Sequence, residues 1–215
     1  MNRRMFGASL IGLTGVTVFA QRGWRRETPA NRPPTARTDA EKRILATLDR
    51  MSRAGELHLA VEPDTGRMLR LLTEANGAKH AVEVGTSTGY SSLWLCLALQ
   101  ATGGRLTTFE LDPGRAAQAT KHFEEAGVSN AVTVVVGDAH QTVRQLKDPI
   151  DVLFLDADKE GYTSYLRTLL PLVRPGGLVG ADNIEMAEGY VTAVTTDSQL
   201  DTVLFGRFGV TLKKR

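Results

Sequence analysis

Residues 80–92 read His80-Ala81-Val82-Glu83-Val84-Gly85-Thr86-Ser87-Thr88-Gly89-Tyr90-Ser91-Ser92. A short run rich in alanine and valine ends on a glycine turn. The helical apolar pattern Leu93-Trp94-Leu95-Cys96-Leu97-Ala98-Leu99 follows directly. A strand that runs through glycine into a helix is the opening of a βαβ unit. A glycine turn there also lets a ligand approach the backbone and meet the helix N-terminus. Gly85 and Gly89 are four apart, so the dinucleotide spacing G-x-G-x-x-G is absent. No Lys-Ser or Lys-Thr follows the glycines, which excludes a phosphate-cradling P-loop. The turn suits a ligand without a diphosphate, although such a turn can also serve only to pack a helix on a strand.

Working outward, strand and helix patterns alternate. Strands are predicted at His80–Val84, Arg105–Glu110, Ala131–Val136, Val152–Asp156, Leu178–Asp182, Thr202–Leu204 and Val210–Leu212. Helices are predicted at Tyr90–Leu99, Pro113–Ala126, Ala139–Gln145, Tyr162–Leu170 and Glu188–Thr195. Two more precede the first strand. One starts at Thr38-Asp39-Ala40-Glu41, with Ile44, Leu45, Leu48 and Met51 at helical spacing, and the other runs from Pro63 to Asn76. The alternation predicts an α/β fold with a mainly parallel sheet and helices on both faces. The last two strands have only Phe205–Gly209 between them, so they form a hairpin and one of them runs antiparallel at the sheet edge.

Acidic residues fall at the carboxyl ends of successive strands: Glu83, Glu110, Asp138 and Asp156. Open α/β sheets bind ligands at that end. Glu110, about 20 residues past the glycine turn, is placed to accept from both hydroxyls of a ribose. Asp138 can accept from an adenine amine and Ala139 can offer its N–H. Taken singly, each acid could instead cap a helix. Asp156 and the pair Asp182-Asn183 lie side by side if the fourth and fifth strands are neighbours. Two carboxylates and an amide oxygen are hard ligands for magnesium or calcium. Lys159, three residues past Asp156, is a candidate proton acceptor. A solvated helix start at 158–160 and a plain turn at 182–183 are the alternatives.

These segments resemble the class I S-adenosylmethionine-dependent O-methyltransferases of the catechol and caffeoyl-coenzyme A type. The resemblance rests on residues 83–91, on Leu155-Asp156-Ala157-Asp158-Lys159-Glu160-Gly161-Tyr162, and on Arg174-Pro175-Gly176-Gly177 through Asp182-Asn183. It implies a Rossmann-like seven-stranded sheet with a C-terminal antiparallel hairpin. It implies that Glu83, Gly85, Thr86, Ser91, Glu110, Asp138, Ala139 and Asp156 contact S-adenosylmethionine, with Asp158 near its methionine part. It implies that Asp156, Asp182 and Asn183 bind a divalent cation, magnesium above others, and that Lys159 and Asp156 serve the chemistry. The implied substrate is a small catechol-like or phenolic molecule and the implied assembly a homodimer. There are departures. Val61-Glu62-Pro63 stands where a small hydroxyl residue is usual. The stretch after Asn183 is short, and the terminal hairpin lacks the usual proline and acidic turn. A nitrogen or protein acceptor, or a non-catalytic exported scaffold of the same fold, are the alternative functions.

The bulk numbers are those of a globular domain. The chain has 215 residues, 42% hydrophobic and 23% charged, with net charge +2. Arg3, Arg4, Arg22, Arg25, Arg26 and Arg32 crowd the N-terminus, so the remainder carries no basic excess and no nucleic-acid partner is expected. The single cysteine, Cys96, lies in an apolar helical run and reads as buried. Residues 1–20 join Arg3-Arg4 to a weakly apolar run ending Val18-Phe19-Ala20, which resembles a twin-arginine export signal to the periplasm. If that signal is not used, a cytoplasmic protein is expected. Fifteen helical residues span roughly 22 Å against a hydrocarbon core of about 30 Å, so no stable membrane span is expected. Residues 21–38, with Gly23, Pro29, Pro33 and Pro34, read as a linker, and 39–215 as one domain.

Overall fold

The computed structural model describes residues 34–215. The signal-like segment 1–20 and most of the expected linker lie outside the described residues. No helix of the described residues is long and apolar enough to cross a membrane.

Helix α1 (Asp39–Arg53) starts where Thr38 accepts at Oγ1 from the Glu41 N–H, 3.1 Å. Ile44, Leu48 and Met51, spaced four and three apart, make its buried face. Thr38→Ala is expected to lower stability by about 1 kcal/mol, read as a shift in the urea midpoint at unchanged slope. Helix α2 (Pro63–Ala75) has proline in its first turn, where no N–H is needed.

Then the alternation begins: β1 (His80–Val84), α3 (Tyr90–Thr102), β2 (Arg105–Glu110), α4 (Pro113–Ala126), β3 (Val132–Val136), α5 (Ala139–Thr142), β4 (Ile150–Leu155), α6 (Tyr162–Leu169), β5 (Val173–Ala181), α7 (Glu188–Thr196), β6 (Leu200–Phe205) and β7 (Phe208–Lys213). The seven strands order as β3-β2-β1-β4-β5-β7-β6. All neighbours from β3 to β5 pair parallel, while β7 pairs antiparallel with both β5 and β6. The terminal hairpin therefore forms as expected, but the reversed strand is not the edge. Strand β7 returns to insert beside β5 and pushes β6 outside.

Helices cover both faces. Along β1, Ala81 packs into a core with Ile44, Leu69, Leu95 and Phe123, while Val82 and Val84 pack into a second with Tyr162, Leu166 and Tyr190. Period-two alternation on a strand buried on both sides divides one apolar run between two cores. Strand β5 begins at Val173, five residues before the expected start. The Pro175-Gly176-Gly177 segment is carried inside the strand by a register shift opposite Ile150–Val152. The order in which strands are added across the sheet reverses between β1 and β4, and a crevice opens there beyond the strand ends.

Candidate active site

The crevice is a cavity of about 690 Å³. Gly85 forms part of its floor with φ +107°, and a Cβ there would collide with the backbone carbonyl of Asp156. Glycine is needed both for the backbone angle and for the close approach of the turn to the next strand. The Gly85 and Thr86 N–H groups both donate to the Phe109 carbonyl, at 3.0 and 3.1 Å, which ties the turn to β2.

Glu110 lines the cavity with 5% of its side chain exposed. Its Oε1 accepts from Asp112 N (2.9 Å), Arg115 Nε (2.9 Å) and Arg115 Nη2 (2.7 Å). Its Oε2 accepts only from Ser87 N (2.7 Å). Four donors lock the carboxylate in place and leave lone-pair capacity on Oε2 for a ligand hydroxyl. Asp138 lines the cavity and also caps α5, accepting from His140 N at 2.9 Å. The capping reading of that residue holds, and the residue also borders the cavity. Ala139 lines the wall beside it.

Glu83, Thr86 and Ser91 are not on the cavity wall. Glu83 is fully buried beneath the turn and accepts from Ser91 Oγ (2.6 Å), Thr108 Oγ1 (2.6 Å) and Ser92 Oγ. Thr86 hydrogen-bonds Thr108 at 2.6 Å. Burial pushes the Glu83 carboxyl up to about 7, although the three hydroxyls oppose the shift. The structure places these three as a buried polar brace under the glycine turn, behind the residues that face the cavity.

Asp156 follows β4 and Asp182 follows β5, and their preceding residues Leu155 and Ala181 are register partners. The two acids are therefore neighbours, as the strand order required. Burial pushes the Asp156 carboxyl up to about 6, and the facing charge of Asp182 adds to the rise. Burial raises Asp182 as well, with Arg207 opposing. Lys159 Nζ donates to Asp156 Oδ1 (2.8 Å) and to the Tyr162 hydroxyl (2.7 Å). That hydroxyl shares its proton between the carbonyls of Leu155 (2.9 Å) and Asp182 (2.8 Å), so Tyr162 braces the ends of β4 and β5. Asp182 Oδ1 is buried with no hydrogen-bond partner. Asn183 stands beside it on the cavity wall in the left-handed region, φ +55°.

A divalent cation fits this donor set. A buried carboxylate oxygen without a donor, next to a second buried acid and an amide, is costly unless something positive meets it. Among the described residues no group of three or more His, Cys, Asp or Glu gathers to hold a metal, so the third protein ligand would be the Asn183 amide oxygen.

A model of a family described as O-methyltransferase matches residues 36–214. The chain belongs to the O-methyltransferase family. A catechol O-methyltransferase of Niastella koreensis is 40% identical over 145 residues, which cover 66% of this chain and 65% of that protein. The matched region thus spans less than two thirds of the relative's length. Among solved structures, the O-methyltransferase from Bacillus cereus in complex with SAH superposes with a TM-score of 0.72 at 25% identity, covering 84% of this chain and 92% of that one. The O-methyltransferase TomG from Streptomyces achromogenes, in complex with SAM, gives 0.70 at 27%, with coverage of 84% and 92%.

Several side chains at this family site were missed in the sequence. Asp158 was expected there, but its partners were not: it accepts from Tyr165 OH (2.6 Å) and pairs with His140 Nε2 (3.1 Å), and the His140 and Tyr165 rings stack 4.7 Å apart. Arg115 and Arg207 also line the wall. Arg115 had a signal, since it stands five residues past Glu110 at the start of a helix. Arg207 had none, because its neighbour Asp182 is 25 positions away.

Proposed function

We propose that this chain is an S-adenosylmethionine-dependent O-methyltransferase, assisted by a divalent cation such as magnesium, acting on a hydroxyl of a small catechol-like or phenolic substrate. The observation that carries the reading is the juxtaposition of Asp156, Asp182 and Lys159 in one cavity with the glycine turn and Glu110. Family membership and the SAM- and SAH-bound neighbours support the choice of methyl donor.

Glu110, held by Arg115 and the Ser87 N–H, would fix the donor's ribose through Oε2. Gly85 would let the donor lie against the backbone, and Asp158 and His140 would border its methionine part. The donor when bound supplies a methyl carbon made electrophilic by a sulfonium. Transfer forms the O–CH3 bond as the S–CH3 bond breaks, with its electron pair left on sulfur and the hydroxyl proton released. Asp156, Asp182 and the Asn183 amide would hold the cation, whose charge eases ionisation of a substrate hydroxyl. Lys159, steadied between Asp156 and Tyr162, would receive the proton when its amine is in the neutral form. The rest is positioning of two reactants in a crevice. The expected homodimer, the domain limits at 39–215 and the export signal belong to the same proposal.

The decisive experiment is isothermal titration of the full chain with S-adenosylmethionine, with and without magnesium, beside Glu110→Ala. Wild type is expected to bind in the micromolar range. The variant is expected to bind about 10- to 100-fold more weakly, the worth of hydrogen bonds to a charged acceptor. Catechol methylation is expected to cease on chelation and return with magnesium. A folded wild type that does not bind the donor ends the reading, and methylation indifferent to a chelator removes the cation from it.

A further inference from the structure

Three lysine or arginine side chains line the cavity: Arg115, Lys159 and Arg207. Two are committed. Arg115 grips Glu110 through two nitrogens, and Lys159 is held by Asp156 and Tyr162. Arg207 differs. Its one side-chain contact is from Nη2 to Asp182 Oδ2 at 3.4 Å, beyond ordinary hydrogen-bond length, and 45% of its side chain is exposed. The rest of its guanidinium has no partner among the described residues. Its backbone is nonetheless fixed. The Ile184 N–H donates to the Arg207 carbonyl at 3.0 Å, which pins the Gly206–Arg207 turn against the segment after Asn183. Arg207 is thus anchored at its base, held at its tip only by the long contact to Asp182, and next to the acid pair. Met186, 68% exposed, lines the same cavity three residues past Asn183.

We propose that Arg207 is a specificity-determining residue that selects acceptors carrying a carboxylate, so that the substrate is a hydroxylated aromatic acid rather than a neutral phenol. The inference rests on the O-methyltransferase reading above. A guanidinium presents paired donors in a plane that matches a carboxylate, and such bidentate bonds are stronger than neutral ones. Its contact with Asp182 is long, and the cation of that reading would replace its charge beside this buried carboxylate, which frees the guanidinium for a ligand. The substrate's hydroxyl end would lie toward Asp156, Asp182 and Asn183, with its ring against Met186. The other acids of the wall are each met by donors: Glu110 by Arg115, Asp156 by Lys159, Asp158 by Tyr165 and His140, and Asp138 by the His140 N–H and the Gln141 side-chain amide.

The test measures binding of 3,4-dihydroxybenzoate and of catechol to the full chain, with magnesium and S-adenosylhomocysteine present. Wild type, Arg207→Gln and Arg207→Lys are compared, with methyl transfer to each compound followed in parallel. Wild type is expected to bind the acid about tenfold more tightly than catechol, the equivalent of one charge-assisted hydrogen bond. The ratio should fall to near one in Arg207→Gln and to an intermediate value in Arg207→Lys, with thermal midpoints unchanged. Equal binding of the two compounds by wild type, or a ratio that survives in Arg207→Gln, overturns the inference. An Arg207-dependent preference without methyl transfer supports Arg207 and removes the transferase reading. Methyl transfer without any preference does the reverse.

Discussion

Lys159→Met is expected to lower kcat for a hydroxylated substrate by about 10²- to 10⁴-fold, the usual worth of a positioned proton acceptor. The side chain is largely buried and held at two points, 2.8 Å from Asp156 and 2.7 Å from the Tyr162 hydroxyl. Methionine fills similar space and cannot take a proton. Lys159→Arg separates charge from proton transfer, because guanidinium keeps the positive charge beside Asp156 and does not give up its proton near neutral pH. The arginine variant should therefore keep its stability and share most of the rate loss. Donor affinity, measured by titration, should change far less than kcat, since Lys159 faces the acid pair and Glu110 lies on the other strand group. Single-turnover rates within about tenfold of wild type in both variants would remove Lys159 from the chemistry.

The second large effect is on stability and concerns Glu83. Its carboxyl sits near 7 in the folded chain against an ordinary value of 4.5, because burial penalises the charged form. Between these two values the native state holds a proton that the unfolded chain has released. Stability from this group is therefore present below pH 4.5 and falls as pH rises to about 7, by roughly 3 kcal/mol in all. Glu83→Gln keeps a polar group facing Ser91, Ser92 and Thr108 and has nothing to titrate. The variant's stability relative to wild type should be about 2–3 kcal/mol more favourable at pH 8 than at pH 5. Asp156 and Asp182, also raised by burial, slope the same way but are present in both proteins and cancel in the difference. Denaturant unfolding at the two pH values reads it directly, and parallel pH profiles for the two proteins would refute the assignment of the slope to Glu83.

A bound cation and donor would act on this balance through mass action. Each stabilises the state that binds it by an amount set by concentration over affinity. A magnesium-dependent rise in unfolding midpoint in wild type, absent in a variant lacking Asp182, would locate the cation without any activity assay.

Much of the architecture was legible because it is local. Strands β1 and β2 begin and end at the predicted residues, since a short run closed by glycine or by an acid leaves little choice. The acids at strand ends were legible for the same reason: parallel strands all present their carboxyl ends to one side of the sheet. From that alone Gly85, Glu110, Asp138, Asp156, Asp182 and Asn183 converge on one cavity.

Three features required the tertiary structure. Alternation shows that Glu83 shares a face with Ala81 and opposes Val82 and Val84, but the face that meets α3 depends on how the helices cross the sheet. That crossing puts Glu83 against Ser91 and Ser92, beneath the turn and off the cavity wall. The place of the reversed strand was also undetermined, because a hairpin can attach to a sheet edge by either of its strands. The pairing of β7 with β5 settles it, and the exposed apolar residues of β6 follow from its place at the edge. Arg207 lies beside Asp182 only because the β6–β7 turn returns to the end of β5 and is held there by Ile184. Local patterns along the chain determine which residues end a strand and which face they share. Contacts between residues distant in sequence depend on how the strands pair and cross, and those decide which charged groups meet.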